Sequence, residues 1–302
     1  MRLLILILAL VSTATAADLQ KDLDALASQY QGKIAFFAKD LKTGQTVAVD
    51  ADEPVQTASV IKLPIMIEAM YQVTQGKLRL DQQLTLTKDN QVPGSGVLQF
   101  MDPGLHLTLK DAMTLMIILS DNTATNLVID AVGIKNVDDR LAAMGLKNTY
   151  LYKKVFKPAE GPMPPDQKKF GLGKTTAREM AQAMESIQRC DLGDKDLCKT
   201  MLDILRNQQD RDSVPRYLES GDTSEIPSAI ANKTGALDDV RNDVALVETK
   251  SAPILISAFT WDNKDQSWTP DNAAEVLIAK MAKDVVTAWA PGGVKGPAAT
   301  KQ

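Results

Sequence analysis

Apolar residues recur at helical spacing from Ala17 to about Tyr30, where Leu19, Leu23, Leu26 and Ala27 share one face. The period then shortens. Lys33–Ala38 and Gln45–Val49 read as two strands around a turn at Asp40-Leu41-Lys42-Thr43-Gly44, which predicts a hairpin. A helical period returns over 59–73, 108–119, 122–132, 135–144, 175–187 and 196–207, and Thr108 with Asp111 three residues later supplies a cap. Residues 229–234, 243–249 and 253–260 are further strand candidates joined by short polar turns. A long helix is predicted from Thr269-Pro270 to about Trp289, with proline at its first position. This order predicts an α/β (α+β) fold with an antiparallel sheet flanked by the N- and C-terminal helices and an inserted all-α lobe. The sheet domain is expected to be discontinuous, 17–58 with 208–290, and the lobe to cover 59–207.

Two stretches break the pattern. Val92-Pro93-Gly94-Ser95-Gly96 is glycine-rich, but no GK[ST] follows it, so a phosphate cradle is poorly supported. Residues 154–174 carry prolines at 158, 162, 164 and 165 and no periodicity, as expected for a functional or mobile loop. The Gly-, Pro- and Ala-rich end, 291–302, is expected to be a flexible tail.

The N-terminus adds a location. Met1-Arg2, an apolar run from Leu3 to Val11 and Ala14-Thr15-Ala16 form the three parts of a secretory signal peptide over residues 1–16. The run is too short to span a bilayer, and no cysteine follows the cleavage site to carry a lipid anchor. An exported protein, periplasmic or secreted, is therefore expected. In an oxidising compartment Cys190 and Cys198, eight positions apart around a Gly-Asp turn, suit a structural disulfide better than a redox pair.

Composition then excludes chemistries. His106 is the only histidine in 302 residues, which forbids any site with two histidine ligands within the chain. It lies just before the capped helix at Thr108 and is expected to be structural. Two cysteines cannot build a zinc ribbon or a four-cysteine cluster, so no metal and no cofactor are expected. A net charge of −4 without a basic cluster argues against nucleic acid, and aromatics at 5% are sparse for base stacking. Hydrolysis here would need Lys, Glu, Asp or Tyr as its general base.

Three short motifs supply candidates. In Thr57-Ala58-Ser59-Val60-Ile61-Lys62, one helical turn puts Ser59 and Lys62 on the same face, and the helix start favours developing negative charge. A neutral lysine in a poorly solvated site can take the serine proton in place of histidine. Ser120-Asp121-Asn122 joins two helical segments, and Lys233-Thr234-Gly235 closes a strand. Each alone has an ordinary explanation: a serine cap, a capping turn, or a strand running into a turn.

Taken in order, Ser-x-x-Lys, Ser-Asp-Asn and Lys-Thr-Gly form the triple of class A β-lactamases and penicillin-binding proteins. The chain resembles the class A-like serine β-lactamases over essentially all of residues 18–290. That resemblance implies an acylated nucleophile at Ser59, with its N–H and that of Ala236 as the oxyanion hole. It also implies Lys62 as general base or relay and Ser120 as proton donor to the leaving nitrogen. Asn122 would bind the substrate amide, Lys233 and Thr234 the substrate carboxylate, and Gly235 would leave room for an extended substrate. Arg241 would join the carboxylate site if one residue is deleted in the preceding turn. The expected partner is a small β-lactam or a D-Ala-D-Ala peptide, and the protein is expected to be monomeric.

One family element is missing. The Glu-x-x-Leu-Asn segment that activates the deacylating water does not occur. Counting forward from Ala143-Met144-Gly145 places the glutamate position near Val155; counting back from Thr175-Thr176 places it near Glu160 or Gly161. Glu160 is the only glutamate in that loop and is the expected base of a β-lactamase. Without such a base, β-lactams should acylate the protein and stay, and the role would be that of a D-Ala-D-Ala carboxypeptidase or endopeptidase.

Overall fold

The computed structural model describes residues 16–218 and 228–295. The expected signal peptide lies outside them but for its last residue, Ala16, which opens the first helix. Nine helices are described: α1 Ala16–Gln29, α2 Lys62–Thr74, α3 Leu109–Ile118, α4 Asn122–Val132, α5 Ile134–Ala143, α6 Gln167–Phe170, α7 Ala177–Arg189, α8 Lys195–Arg206 and α9 Ala273–Trp289. No helix among the described residues is long and apolar enough to cross a membrane.

The main sheet has five antiparallel strands: β1 Lys33–Asp40, β2 Thr46–Val49, β3 Ile230–Leu237, β4 Val240–Val247 and β5 Ile254–Trp261. Their spatial order is β2-β1-β5-β4-β3, so β1 from the start of the chain pairs with β5 from its end. Both faces are covered, which explains the nearly continuous apolar runs of β1 and β5. On β1, Ile34, Phe36 and Ala38 pack with Leu23 of α1 and Ile278, Met281 and Val285 of α9. Ala35 and Phe37 face the helical lobe, where Ile65, Met66, Met113, Val128 and Met184 form the larger core. The two-residue alternation of strands thus separates two cores.

Three details differ from the sequence reading. The last helix starts at Ala273, capped by the Asn272 side chain on Ala274 N–H at 2.9 Å; Thr269 and Pro270 precede it. The 154–174 stretch is ordered by its own contacts. Gly173–Thr175 pairs with Val55–Gln56 and Tyr150–Leu151, and Asp166 accepts from Tyr152 Oη at 3.0 Å and Lys174 Nζ at 2.6 Å. The expected flexible tail is tied down as far as Lys295: Val294 bridges Thr249, and Lys295 pairs with Glu248 at 2.8 Å. Residues 296–302 lie outside the described residues.

A disulfide joins Cys190, where the chain leaves α7, to Cys198 in α8, with a Cα–Cα distance of 5.6 Å. His106 is exposed on a two-stranded ribbon, its Nδ1 3.1 Å from Thr85 Oγ1.

Candidate active site

Ser59 sits in a short 3₁₀ turn, Ala58–Ile61, that runs directly into α2. Ala58 before it has φ +42°, a left-handed conformation that costs energy for a non-glycine residue and is held by its surroundings. Two contacts hold it. Asn242 of β4 donates to the carbonyls of Gln56 and Thr57 at 2.9 and 3.3 Å. Gly235 of β3 lies so near that a Cβ there would fall 2.9 Å from both Ser59 N and Val60 N. That close approach requires glycine, and it brings the end of β3 against the serine turn.

Lys62 Nζ is fully buried and donates to Ser120 O at 2.6 Å, Asn122 Oδ1 at 2.9 Å and Ser120 Oγ at 3.1 Å. Burial, then the nearby Lys233 charge, push its pKa well below the ordinary lysine value, against a smaller opposing pull from Asp121. Lys233 Nζ reaches the other side of Ser120 Oγ at 3.1 Å and donates to Thr234 O at 2.7 Å. Its pKa falls to about 8, again through burial, opposed by Asp210 and Asp243. Ser120 Oγ therefore stands between two lysine nitrogens, and its own backbone is left-handed at φ +53°.

Asp121 is the missing connection between Ser120 and the glycine-rich loop. Its carboxylate accepts from Ala124 N at 2.8 Å, capping α4, and from Val97 N and Leu98 N at 2.7 and 2.9 Å. A Cβ on Gly96, at φ +99°, would meet the Asp121 side chain at 2.2 Å. The loop is a rim clamped to the helix start rather than a phosphate cradle. Asp121→Ala is expected to orphan three backbone donors, two of them buried, and to destabilise the fold by about 3 kcal/mol, at roughly 1 kcal/mol or more for each. A urea midpoint that falls with an unchanged m-value would show it.

Ser59, Asn122 and Ala236 line one cavity of about 480 Å³. Its remaining wall includes Gly94, Ser95, Lys153, Val155, Phe156 and Phe170. Thr234, next to Lys233, is buried in β3.

Glu160 is not brought to this cavity. Its side chain is 78% exposed, lies 3.7 Å from Lys154 and lines a separate cavity with Asp130 and Lys157. Val155 does line Ser59's cavity; its backbone N donates to Asn126 Oδ1 at 2.9 Å and its carbonyl accepts from Asn126 Nδ2 at 3.0 Å. Of the two counted positions, only the forward one, Val155, lines the cavity with Ser59, and it is apolar.

Arg241 is likewise misplaced by the sequence reading. Gly235 pairs with Asn242 and Ala236 with Arg241, and Arg241 points to the terminal-helix face. There its guanidinium donates to the carbonyls of Leu237, Val240 and Ser267, pairs with Glu275 at 3.1 Å and stacks on Trp268. It does not line the cavity. Asn242 takes the inward position, and its amide is engaged in holding the serine turn.

Comparison with known proteins agrees with this geometry. The model of the Beta-lactamase enzyme family matches residues 18–289. The β-lactamase of Bacillus licheniformis is 25% identical over 277 residues, 90% of this chain and 84% of its own. Among solved structures, the β-lactamase from Sphaerobacter thermophilus superposes with a TM-score of 0.78 at 29% identity, covering 91% of this chain and 97% of that one. A Leu-to-Glu mutant of PBP-A, captured as an acyl-enzyme complex with penicillin G, superposes at 0.75 and 25% identity, with 90% and 96% covered. The chain belongs to the β-lactamase enzyme family, as a class A-like serine β-lactamase-type hydrolase that acts on cyclic amides.

Proposed function

We propose that the protein is an exported hydrolase that opens β-lactam rings by acylating Ser59 and then releases the acyl group slowly. The observation that carries this reading is Lys62: fully buried, depressed in pKa and one helical turn from Ser59. Neutral Lys62 takes the Ser59 proton as Oγ attacks the lactam carbonyl. The N–H groups of Ser59 and Ala236 receive the developing oxyanion. Ser120, between the two lysines, passes a proton to the departing nitrogen, Asn122 holds the substrate amide, and protonated Lys233 with Thr234 anchors the carboxylate. Slow release follows from Val155, since among the described residues no glutamate lines the cavity and the one carboxylate that does, Asp238, is exposed on the β3–β4 turn.

The same absence favours a second reading, in which D-Ala-D-Ala peptides are the natural substrates and β-lactams act as trapped analogues. The PBP-A mutant acyl-enzyme shows that a protein of this fold holds penicillin covalently. Benzylpenicillin added to purified protein, followed by intact mass, should give an adduct on Ser59 that decays slowly. Fast turnover without an adduct would contradict slow release, and no covalent mass under any condition would sink the Ser59 assignment.

The acylation rate should depend on pH as a bell. It rises as Lys62, whose pKa lies well below the usual lysine range, loses its proton and can act as base. It falls with an apparent pKa of about 8 as Lys233 deprotonates and releases the substrate carboxylate. Both lysines touch Ser120, so the two limbs belong to the pair. Stopped-flow acylation with nitrocefin from pH 5 to 10 measures both.

A further inference from the structure

Much of the wall of the cavity that holds Ser59 is apolar. Phe156, Phe170, Leu237 and Trp268 line it, and Phe156, Leu237 and Trp268 are 63%, 43% and 67% exposed. Isolated exposed apolar residues are ordinary; several converging on one cavity mark a binding surface. Phe156 is also held at φ +51°, which a phenylalanine adopts only under constraint. Its ring lies close to Gly94, where a Cβ would meet it at 3.2 Å. The loop thus bears strain to keep an aromatic ring at the cavity mouth.

Within this apolar wall stands Lys153, half-buried. Among the described residues its ammonium has no ion pair and no hydrogen bond, whereas the neighbouring Lys154 pairs with Asp130 at 2.5 Å and Lys157 donates to Asp89 O. Lys154 and Lys157 line the adjacent cavity; Lys153 lines this one. Among the described residues the only other charge on the wall, Asp238, is at an exposed turn, where solvent screens it.

We infer that this wall is an acyl-side subsite that selects substrates whose acyl group carries both an aryl ring and a carboxylate, with Lys153 as the carboxylate's partner. The inference rests on acylation of Ser59 as proposed above. The aryl ring covers Phe156, Phe170 and Trp268, and the carboxylate gives Lys153 the counter-ion that it lacks among the described residues. Lys153 is a specificity residue and takes no part in bond making.

Three penicillins with one phenyl ring test it: benzylpenicillin, its α-carboxy analogue carbenicillin and its α-amino analogue ampicillin. Second-order acylation rates, read by intact mass at low salt, should favour carbenicillin over benzylpenicillin by about fivefold, the scale of a partly exposed charge pair. Ampicillin should be slowest. Lys153→Gln should bring the carbenicillin-to-benzylpenicillin ratio within twofold, Lys153→Arg should retain it, and Lys157→Gln should leave it as in the wild type. Added salt should shrink it. Equal rates for all three in the wild type, a preference for ampicillin, or a ratio that survives Lys153→Gln would overturn the subsite while leaving acylation intact. Absence of any adduct with all three would overturn the Ser59 reading itself, and this inference with it.

Discussion

Val155→Glu is expected to raise the deacylation rate about 100- to 10,000-fold, the usual contribution of a positioned general base. Ser59 and Val155 line the same cavity, and an isopropyl group cannot take a proton from water. The backbone at 155 is fixed on both sides by the Asn126 amide, so a glutamate side chain would start from a defined position on the cavity wall. Its surroundings are apolar and buried, which raises a carboxyl pKa and suits a base working near neutral pH. The readouts are the lifetime of the benzylpenicillin adduct and steady-state nitrocefin turnover. A folded Val155→Glu protein with an unchanged adduct lifetime would show that the missing carboxylate is not what limits release. Glu160→Gln should leave the wild-type lifetime where it was, because that side chain points to solvent and to Lys154.

Glu160 and Val155 also show where sequence reasoning stops. The three motifs are each local: Ser59 and Lys62 share one helical turn, Ser120 to Asn122 form one junction, and Lys233 to Gly235 end one strand. Spacing along a regular element determines which way those side chains point, so they were legible without coordinates. The loop after residue 151 has no such period. Two anchors counted in opposite directions give different residues. What decides between them is Asn126, a buried amide on α4 that grips the loop backbone, and nothing near 155 in the sequence announces it.

Arg241 failed for a different reason. Strand residues alternate faces, so a supposed deletion of one residue moves a side chain to the opposite side of the sheet. β3 and β4 pair without a bulge up to their hairpin turn, and the arginine belongs with Glu275 and Trp268. The glycine-rich loop was visible as an anomaly, but its purpose depends on Asp121, 25 positions beyond Gly96, whose carboxylate occupies the space a side chain at Gly96 would need. In each case the missing information was a long-range contact.

Lys62→Arg is expected to slow acylation of Ser59 by about 100- to 10,000-fold, as much as Lys62→Met. The comparison separates two roles that lysine could play. A guanidinium keeps its proton at every accessible pH, so it retains the positive charge and the capacity to donate to Ser120 and Asn122 but cannot accept a proton. Methionine fills nearly the same volume and supplies neither property. If Lys62 worked through charge alone, arginine would preserve most of the rate and methionine would lose it. If it works as the base, both should fail together, and the rising limb of the pH profile should vanish in both. Methionine leaves Ser120 O and Asn122 Oδ1 without their lysine donor, so urea midpoints must accompany the rates. Loss of acylation in folded protein isolates the chemistry from the packing. A Lys62→Arg protein that forms the benzylpenicillin adduct at close to the wild-type rate would remove Lys62 as the proton acceptor and return that role to a group outside the Ser-x-x-Lys turn.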